Sequence, residues 1–295
     1  MILDEKLLKY NKAGFIPGPY ENEEIFLKRI EYTKKLTLFP KDFFKEKKLL
    51  PPFNMENRVL KPRWNWIRAR IIHLYDVSLT NLPMFYNDEK LSFYQAAATW
   101  ILNIDNVNLP ILQFRKVLKD KPYFFIYTLD EILAHEAIHS IRCAFNEPRT
   151  EEIFSYMTAS SYFRRVFGPI IQDSKEVLIF FGLMSTYFIF QVFYLAFDNF
   201  IFNYIALFSA ISTLAFLGLG LIRLFFRRRK FSKAFKKFFK LFKNASKARG
   251  ILLRLTDQEI EKFSKMKKEE IVKHFEKKKK SSLREKMIYI SYFKN

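Results

Sequence analysis

Residues 128–145 read TLDEILAHEAIHSIRCAF, and the rest of the chain is best understood outward from them. Thr128 with Glu131 three residues later is a helix-start pattern, in which the hydroxyl accepts from a free backbone N–H and the carboxylate reaches back. A helix is expected from Leu129 to about Phe145. Within it stands His135-Glu136-Ala137-Ile138-His139, an HExxH sequence. Side chains four apart on an α-helix share a face, so His135 and His139 can offer imidazole nitrogens to one metal ion. Glu136, rotated by about 100°, stands beside them, where a carboxylate can take a proton from metal-bound water. Zinc held by three protein ligands keeps a fourth position for that water and lowers its pKa to about 7.

The flanks extend this unit. Tyr123 to Tyr127 (YFFIY) is a short aromatic strand candidate. Downstream, Asn146 can cap a second helix with Pro148 in its first turn, where the missing N–H costs nothing, and Gly168-Pro169 can end it. At ~1.5 Å per residue, antiparallel packing of the two helices brings Glu152 level with His139. Glu152 is therefore the expected third ligand. Glu151, about 100° around the same helix, stays open as the alternative because sequence does not fix the helix rotation.

Together these residues resemble the gluzincin group of zinc metallopeptidases, the thermolysin-like zincins, in which HExxH is followed on a later helix by a glutamate ligand within ExxSD or ExxAD. The match is His135-Glu136-x-x-His139 and Glu152-x-x-Ser155, about 22 of 295 residues. It implies an α+β, mainly helical zincin-like catalytic domain with Zn2+ on His135, His139 and Glu152, and Glu136 as general base. Two departures stand out. Twelve residues separate His139 from Glu152, a short connection for that group, and Tyr156 occupies the place of an acidic residue that would orient a ligand imidazole. A phenol must take that role, or the orienting group comes from elsewhere. Cys143, one step further along the histidine face, reads as a small apolar residue. His73, Arg149 and Tyr156 are the candidate donors to an oxyanion.

The chain then turns apolar. Residues 177–197 and 200–222 carry no formal charge, and each stretch is long enough to cross a ~30 Å hydrocarbon core. Only Asp198 and Asn199 separate them, so a transmembrane hairpin is expected, with small residues such as Gly182 and Ser209 allowing close approach. Arg164, Arg165 and Lys175 precede the pair; Arg223 and residues 227–230 (RRRK) follow it. Basic flanks predict an integral membrane protein of two spans with both termini cytoplasmic. Met1 to Tyr10 carries Asp4 and Glu5 where an export signal needs a basic and then an apolar region, and a single Cys suits a reducing compartment.

Charge is uneven along the chain. Residues 227–295 hold 24 basic and 7 acidic residues, supplying +17 of the net +21. Phe231, Phe235, Phe238 and Phe242 recur at helical spacing among lysines, a pattern expected to lie on a bilayer with anionic headgroups. Nucleic acid is the less favoured partner. Thr256-x-x-Glu259 caps a further helix towards Lys280. In the body, a helix is expected from about Glu21 to Leu36, an irregular stretch around Pro51, Pro52 and Pro62 with Trp64 and Trp66, strands at Ile71 to Leu79 and Ile111 to Leu118, and a helix at Leu91 to Leu102 through its alanine run.

The expected organisation is a metallopeptidase domain at 1–176, a transmembrane hairpin at 177–222 and a basic amphipathic helical tail at 223–295. The expected function is hydrolysis of a peptide or protein substrate near the membrane. The rival is a non-enzymatic membrane protein whose hairpin anchor presents cytoplasmic segments to partners or lipid.

Overall fold

A computed structural model describes residues 2–59, 64–80 and 82–294. The chain is mainly helical, with a small sheet and two long apolar helices. It divides into two units, residues 1–160 joined by 230–295, and residues 161–229.

The first unit opens with α1 (Asp4–Lys12), α2 (Glu23–Leu38) and α3 (Pro40–Glu46). Asn22 caps α2 by accepting from Ile25 N–H at 2.8 Å. Next comes α4 (Trp64–Tyr75), so Trp64, Trp66 and the expected strand at Ile71 are helical. The reason is periodicity: Ile67, Ile71, Leu74 and Tyr75 are the buried positions, a 3.6-residue repeat that outweighs β-branched content. Pro62 lies outside the described residues.

Three strands follow: β1 (Met84–Tyr86), β2 (Ala97–Ile104) and β3 (Val107–Phe114). β3 is central, parallel to β1 and antiparallel to β2. The helix expected at Leu91 to Leu102 is thus replaced by a strand over its second half. Asp105 and Asn106 join β2 to β3 with φ of 53° and 62°, the two-residue turn whose twist suits a hairpin. That closure commits the alanine run to the ladder. α2 and α3 cover the sheet through Tyr32, Leu36, Phe43 and Phe44, packed on Phe85, Ile104, Leu109 and Ile111. The expected strand ending at Leu118 stops at Phe114 and gives way to α5 (Val117–Asp120).

The aromatic stretch forms two short strands, β4 (Tyr123–Phe124) and β5 (Tyr127–Thr128), paired across a two-residue turn. Then come α6 (Leu129–Ile141) and α7 (Pro148–Tyr156). Thr128 does cap α6, accepting from Glu131 N–H at 3.3 Å, while the Glu131 carboxylate accepts from Ser160 N–H at 2.6 Å. α6 ends four residues before Phe145, and α7 ends at Tyr156, well short of Gly168. Glu147 occupies the N-cap position of α7, preceded by Asn146 in the left-handed region at φ 52°.

The second unit holds α8 (Tyr162–Phe167), α9 (Ser174–Phe197) and the start of α10 (Phe200–Phe242). Asp173 caps α9 by accepting from Glu176 N–H at 2.8 Å. Asp198, at φ 47°, reverses the chain. Ser209 Oγ donates to the Leu183 carbonyl at 2.6 Å, a close crossing that a small residue permits. Both helices are long and apolar enough to cross a membrane, and little of their apolar windows is buried, none of the first and 22% of the second. A pair of core helices would bury those side chains; Leu195, Phe208 and Leu214 are instead among the exposed ones.

From Lys230 the chain belongs to the first unit again, so the division expected at residues 176 and 223 shifts. α11 (Ala245–Leu253), α12 (Asp257–Lys265), α13 (Lys268–Lys278) and α14 (Leu283–Tyr292) complete it. Thr256 and Glu259 close the capping box of α12. The aromatic face expected to meet lipid is largely consumed by protein: Phe231 packs edge-on to Phe154, Phe238 on Phe263, and Phe242 on Phe293. α14 also packs on α1, where Leu7, Phe26 and Ile30 meet Met287 and Ile290. Two arginines counted in the basic tail are buried and bonded: Arg254 donates to Asn11, and Arg284 pairs with Glu259 through two nitrogens at 2.8 Å each. Arg142, buried at the end of α6, donates to the carbonyls of Leu253 and Leu255.

Candidate metal centre

α6 carries His135 and His139 on one face, and α7 returns antiparallel to present Glu152. The three are the one group among the described residues whose donor atoms gather closely enough for a metal ion. His135 Nε2 and His139 Nε2 are 3.2 Å apart. Glu152 Oε1 lies 3.3 Å from His139 Nε2, and Glu152 Oε2 lies 3.6 Å from His135 Nε2. A tetrahedral zinc ion with bonds of about 2.0–2.2 Å holds its donor atoms about 3.3 Å apart, so the triangle has the size that such an ion spans. The donor chemistry, two imidazoles and one carboxylate, also suits zinc.

Glu151 has a different part. Its Oε1 is 2.7 Å from His139 Nδ1, on the far side of the ring from the ligand triangle. A carboxylate on Nδ1 fixes the proton there and turns the Nε2 lone pair inward. Adjacent residues on α7 thus divide the work, Glu152 facing both Nε2 atoms and Glu151 gripping the ring from behind. Arg142 Nε lies 3.9 Å from Glu151 and its guanidinium stacks over Phe145 and Phe154, holding a positive charge near that carboxylate.

The titratable groups of the triangle are strongly perturbed. Burial alone would lower the His139 pKa, but the Glu151 hydrogen bond and the surrounding carboxylates outweigh it and push it up to about 10. Burial, and then the neighbouring His139, hold His135 well below the usual imidazole range. Glu152 is pushed up to about 7 by burial, against the pull of His139 and with the help of Glu136 and Glu151. The carboxylates of Glu151, Glu152 and Glu136 thus favour a positive charge at His139.

Glu136 stands beside the triangle and is anchored from the sheet: Thr99 Oγ1, on β2, donates to Glu136 Oε2 at 2.6 Å. Burial raises the Glu136 pKa, opposed by His139 and by the Thr99 bond. Tyr156 places its ring edge-on to His135, with centroids 4.8 Å apart. Burial keeps its phenol protonated far above the ordinary range, so it can donate but not act as a base.

The other sequence candidates lie elsewhere. His73 and Arg149 are exposed, His73 on α4 and Arg149 in the first turn of α7. Cys143 is buried against Arg29, with its sulfur 3.6 Å from the Asn108 carbonyl; burial pushes its pKa up to about 11. Two supports had no local signal in the sequence. Thr99 comes from a strand misread as helix, and Asp257 comes from beyond the apolar pair. Asp257 accepts from Arg149 N–H at 2.9 Å and Thr150 N–H at 3.1 Å, and from the Thr150 hydroxyl, closing the first turn of the helix that carries Glu151 and Glu152.

No protein family, curated protein or solved structure matches the chain.

Proposed function

We propose that this protein is a membrane-anchored zinc metallopeptidase with a zincin-like catalytic domain. The observation that carries the reading is the triangle of His135, His139 and Glu152, with separations of 3.2–3.6 Å and a half-buried carboxylate, Glu136, next to it. His135, His139 and Glu152 would hold the ion, with Glu151 orienting His139. A bound zinc ion supplies a Lewis acid and water of lowered pKa. Glu136, its carboxyl held by Thr99 and raised by burial, is the base that accepts the water proton at Oε1 or Oε2 and returns it to the leaving amine. The Tyr156 hydroxyl, kept protonated by burial and carried on a ring edge-on to His135, is the candidate donor to developing negative charge on the substrate oxygen. β2 is an end strand of its sheet and bears Thr99, so its outer edge supports pairing with an extended peptide beside Glu136.

The exposed apolar helices support an anchor of two spans. Residues 1–160 and 230–295 fold as one unit, which supports a hairpin whose two flanks share one side of the bilayer. The basic residues bordering the pair favour the cytoplasmic side.

The test is metal content and peptide hydrolysis of the full-length protein in detergent. About one zinc per chain is expected, lost in His139→Ala. Glu136→Gln should keep zinc and lose hydrolysis, because an amide cannot take the proton. Hydrolysis that survives Glu136→Gln refutes the base assignment. An inability to bind added zinc would refute the metallopeptidase reading and leave the non-enzymatic anchor.

A further inference from the structure

The β4–β5 hairpin has an unusual tip. Its ladder pairs Tyr123 with Thr128 and Phe124 with Tyr127, leaving Phe125 and Ile126 as a two-residue loop. Such loops favour Gly, Asn or Asp where φ is positive. Phe125 sits there at φ 51°. The same two residues are 73% and 70% exposed, and Tyr123 beside them is also exposed. The sequence thus accepts backbone strain in order to hold large apolar side chains in solvent, and strain of this kind points to function.

The surroundings identify what the tip meets. Lys116, Lys119 and Lys121 are exposed in the short approach to the hairpin, with Asp120 the one acid among them. Arg115 lies over the Phe124 ring at 5.3 Å and donates from Nε to the Gln95 carbonyl at 2.6 Å and from Nη2 to that of Ser92. This strap holds the hairpin base to the loop carrying Phe93, which is also exposed. Aromatic and branched apolar side chains at a tip, with exposed ammonium groups on the segment leading into it, match the layering of a bilayer surface, acyl boundary beneath anionic headgroups. A protein groove would need an apolar floor and an acidic rim together, both of which an anionic bilayer supplies by its layering. The chain also carries two helices suited to a membrane, so a bilayer is within its reach.

We propose that the β4–β5 hairpin is a second membrane contact, with Phe125 and Ile126 inserted at the acyl boundary of an anionic bilayer and Lys116, Lys119 and Lys121 on its headgroups. The proposal does not depend on the metal reading. Because Thr128 is both the last residue of β5 and the cap of α6, a hairpin seated in lipid would tie the start of the HExxH helix to the membrane surface.

The test uses full-length protein in vesicles of phosphatidylcholine and phosphatidylserine. The one native cysteine, Cys143, is buried, so Ile126→Cys can carry an environment-sensitive fluorophore selectively. Expected are a blue-shifted emission, strong quenching by a lipid bearing a nitroxide high on its acyl chain, and a several-fold loss of iodide quenching relative to detergent micelles. Adding Phe125→Asn, which suits the turn better but removes the apolar anchor, should abolish the lipid quenching without lowering thermal stability. Reversing the three lysines to Glu should restore iodide access. Full iodide access in vesicles overturns the proposal. So does protection from iodide without lipid quenching, which would mean that the tip is covered by substrate, a second copy or another protein.

Discussion

Asp257→Ala is a sharp probe of the centre because Asp257 is far from it in sequence and touches none of the donor atoms. The substitution removes the acceptor for Arg149 N–H, Thr150 N–H and the Thr150 hydroxyl at the head of α7. Loss of a side-chain cap costs about 0.5–2 kcal/mol. Loss of a negative charge at a helix N-terminus adds about 0.3–1 kcal/mol. One effect acts against these. The Glu147 carboxyl is raised by burial, and repulsion from Asp257 contributes, so the variant relieves that repulsion. The net weakening of α7 is therefore about 1–2 kcal/mol. If α7 must be rebuilt for Glu152 to reach the ion, zinc affinity falls by about 5- to 30-fold, since 1.4 kcal/mol is a factor of ten. Asp257→Asn, which keeps an acceptor oxygen but not the charge, should fall between. Competition with a chromophoric chelator on the full-length protein in detergent measures the affinity, and amide exchange in α7 measures the loosening. Faster exchange in α7 with unchanged zinc affinity would refute the link between the cap and the centre. A chain ending at residue 176 lacks the cap altogether and should bind zinc poorly.

The two adjacent glutamates should separate cleanly: Glu152→Ala abolishes stoichiometric zinc, whereas Glu151→Gln keeps it with affinity reduced about 10- to 100-fold, as for other groups that orient a ligand imidazole; chelator competition distinguishes these, and the reverse order would exchange their roles. Glu259 is held below the ordinary carboxylate range because its bonds to Arg284 outweigh the burial that would raise it. Its stabilising effect is thus fully present above the unfolded pKa of about 4.5 and lost as pH falls through the depressed folded value. The melting-temperature gap between wild type and Glu259→Gln should therefore be wide at pH 7 and close on acidification below 4.5; a gap independent of pH would refute this. In α11, a Cβ added at Gly250 would stand 2.7 Å from the Tyr75 carbonyl, a backbone atom of α4 that cannot turn aside. Gly250→Ala should cost about 1–3 kcal/mol, read as a lowered melting temperature.

What the sequence made legible was local. HExxH on a capped helix, the ExxS on the next helix and the two apolar runs each depend on spacing within a few residues, and periodicity reports such spacing directly. The errors arose where two local signals competed. At Ala96 to Ala98, helix propensity was set against the Asp105-Asn106 turn, and pairing with β3 decided for strand. At Ile71 and Ile72, β-branching was set against a buried 3.6-residue stripe, and the stripe won. The distant supports could not be read at all. Arg142 to Leu253 spans 111 residues and Arg149 to Asp257 spans 108, and nothing near either partner encodes the other. Composition misled for a related reason: Arg254 and Arg284 add to the tail's formal charge, yet both are buried in the fold.

The return of residues 230–295 to the first unit also sets a clock. When the ribosome has made α6 and α7, the segment that closes over them does not yet exist; about a hundred residues, including the whole apolar pair, must first be translated. At roughly 5–20 residues per second, the nascent chain carries an uncapped α7 for on the order of ten seconds. A site assembled in this order stays incomplete while it is being made, and residues 230–295 emerge only after the apolar pair has left the ribosome.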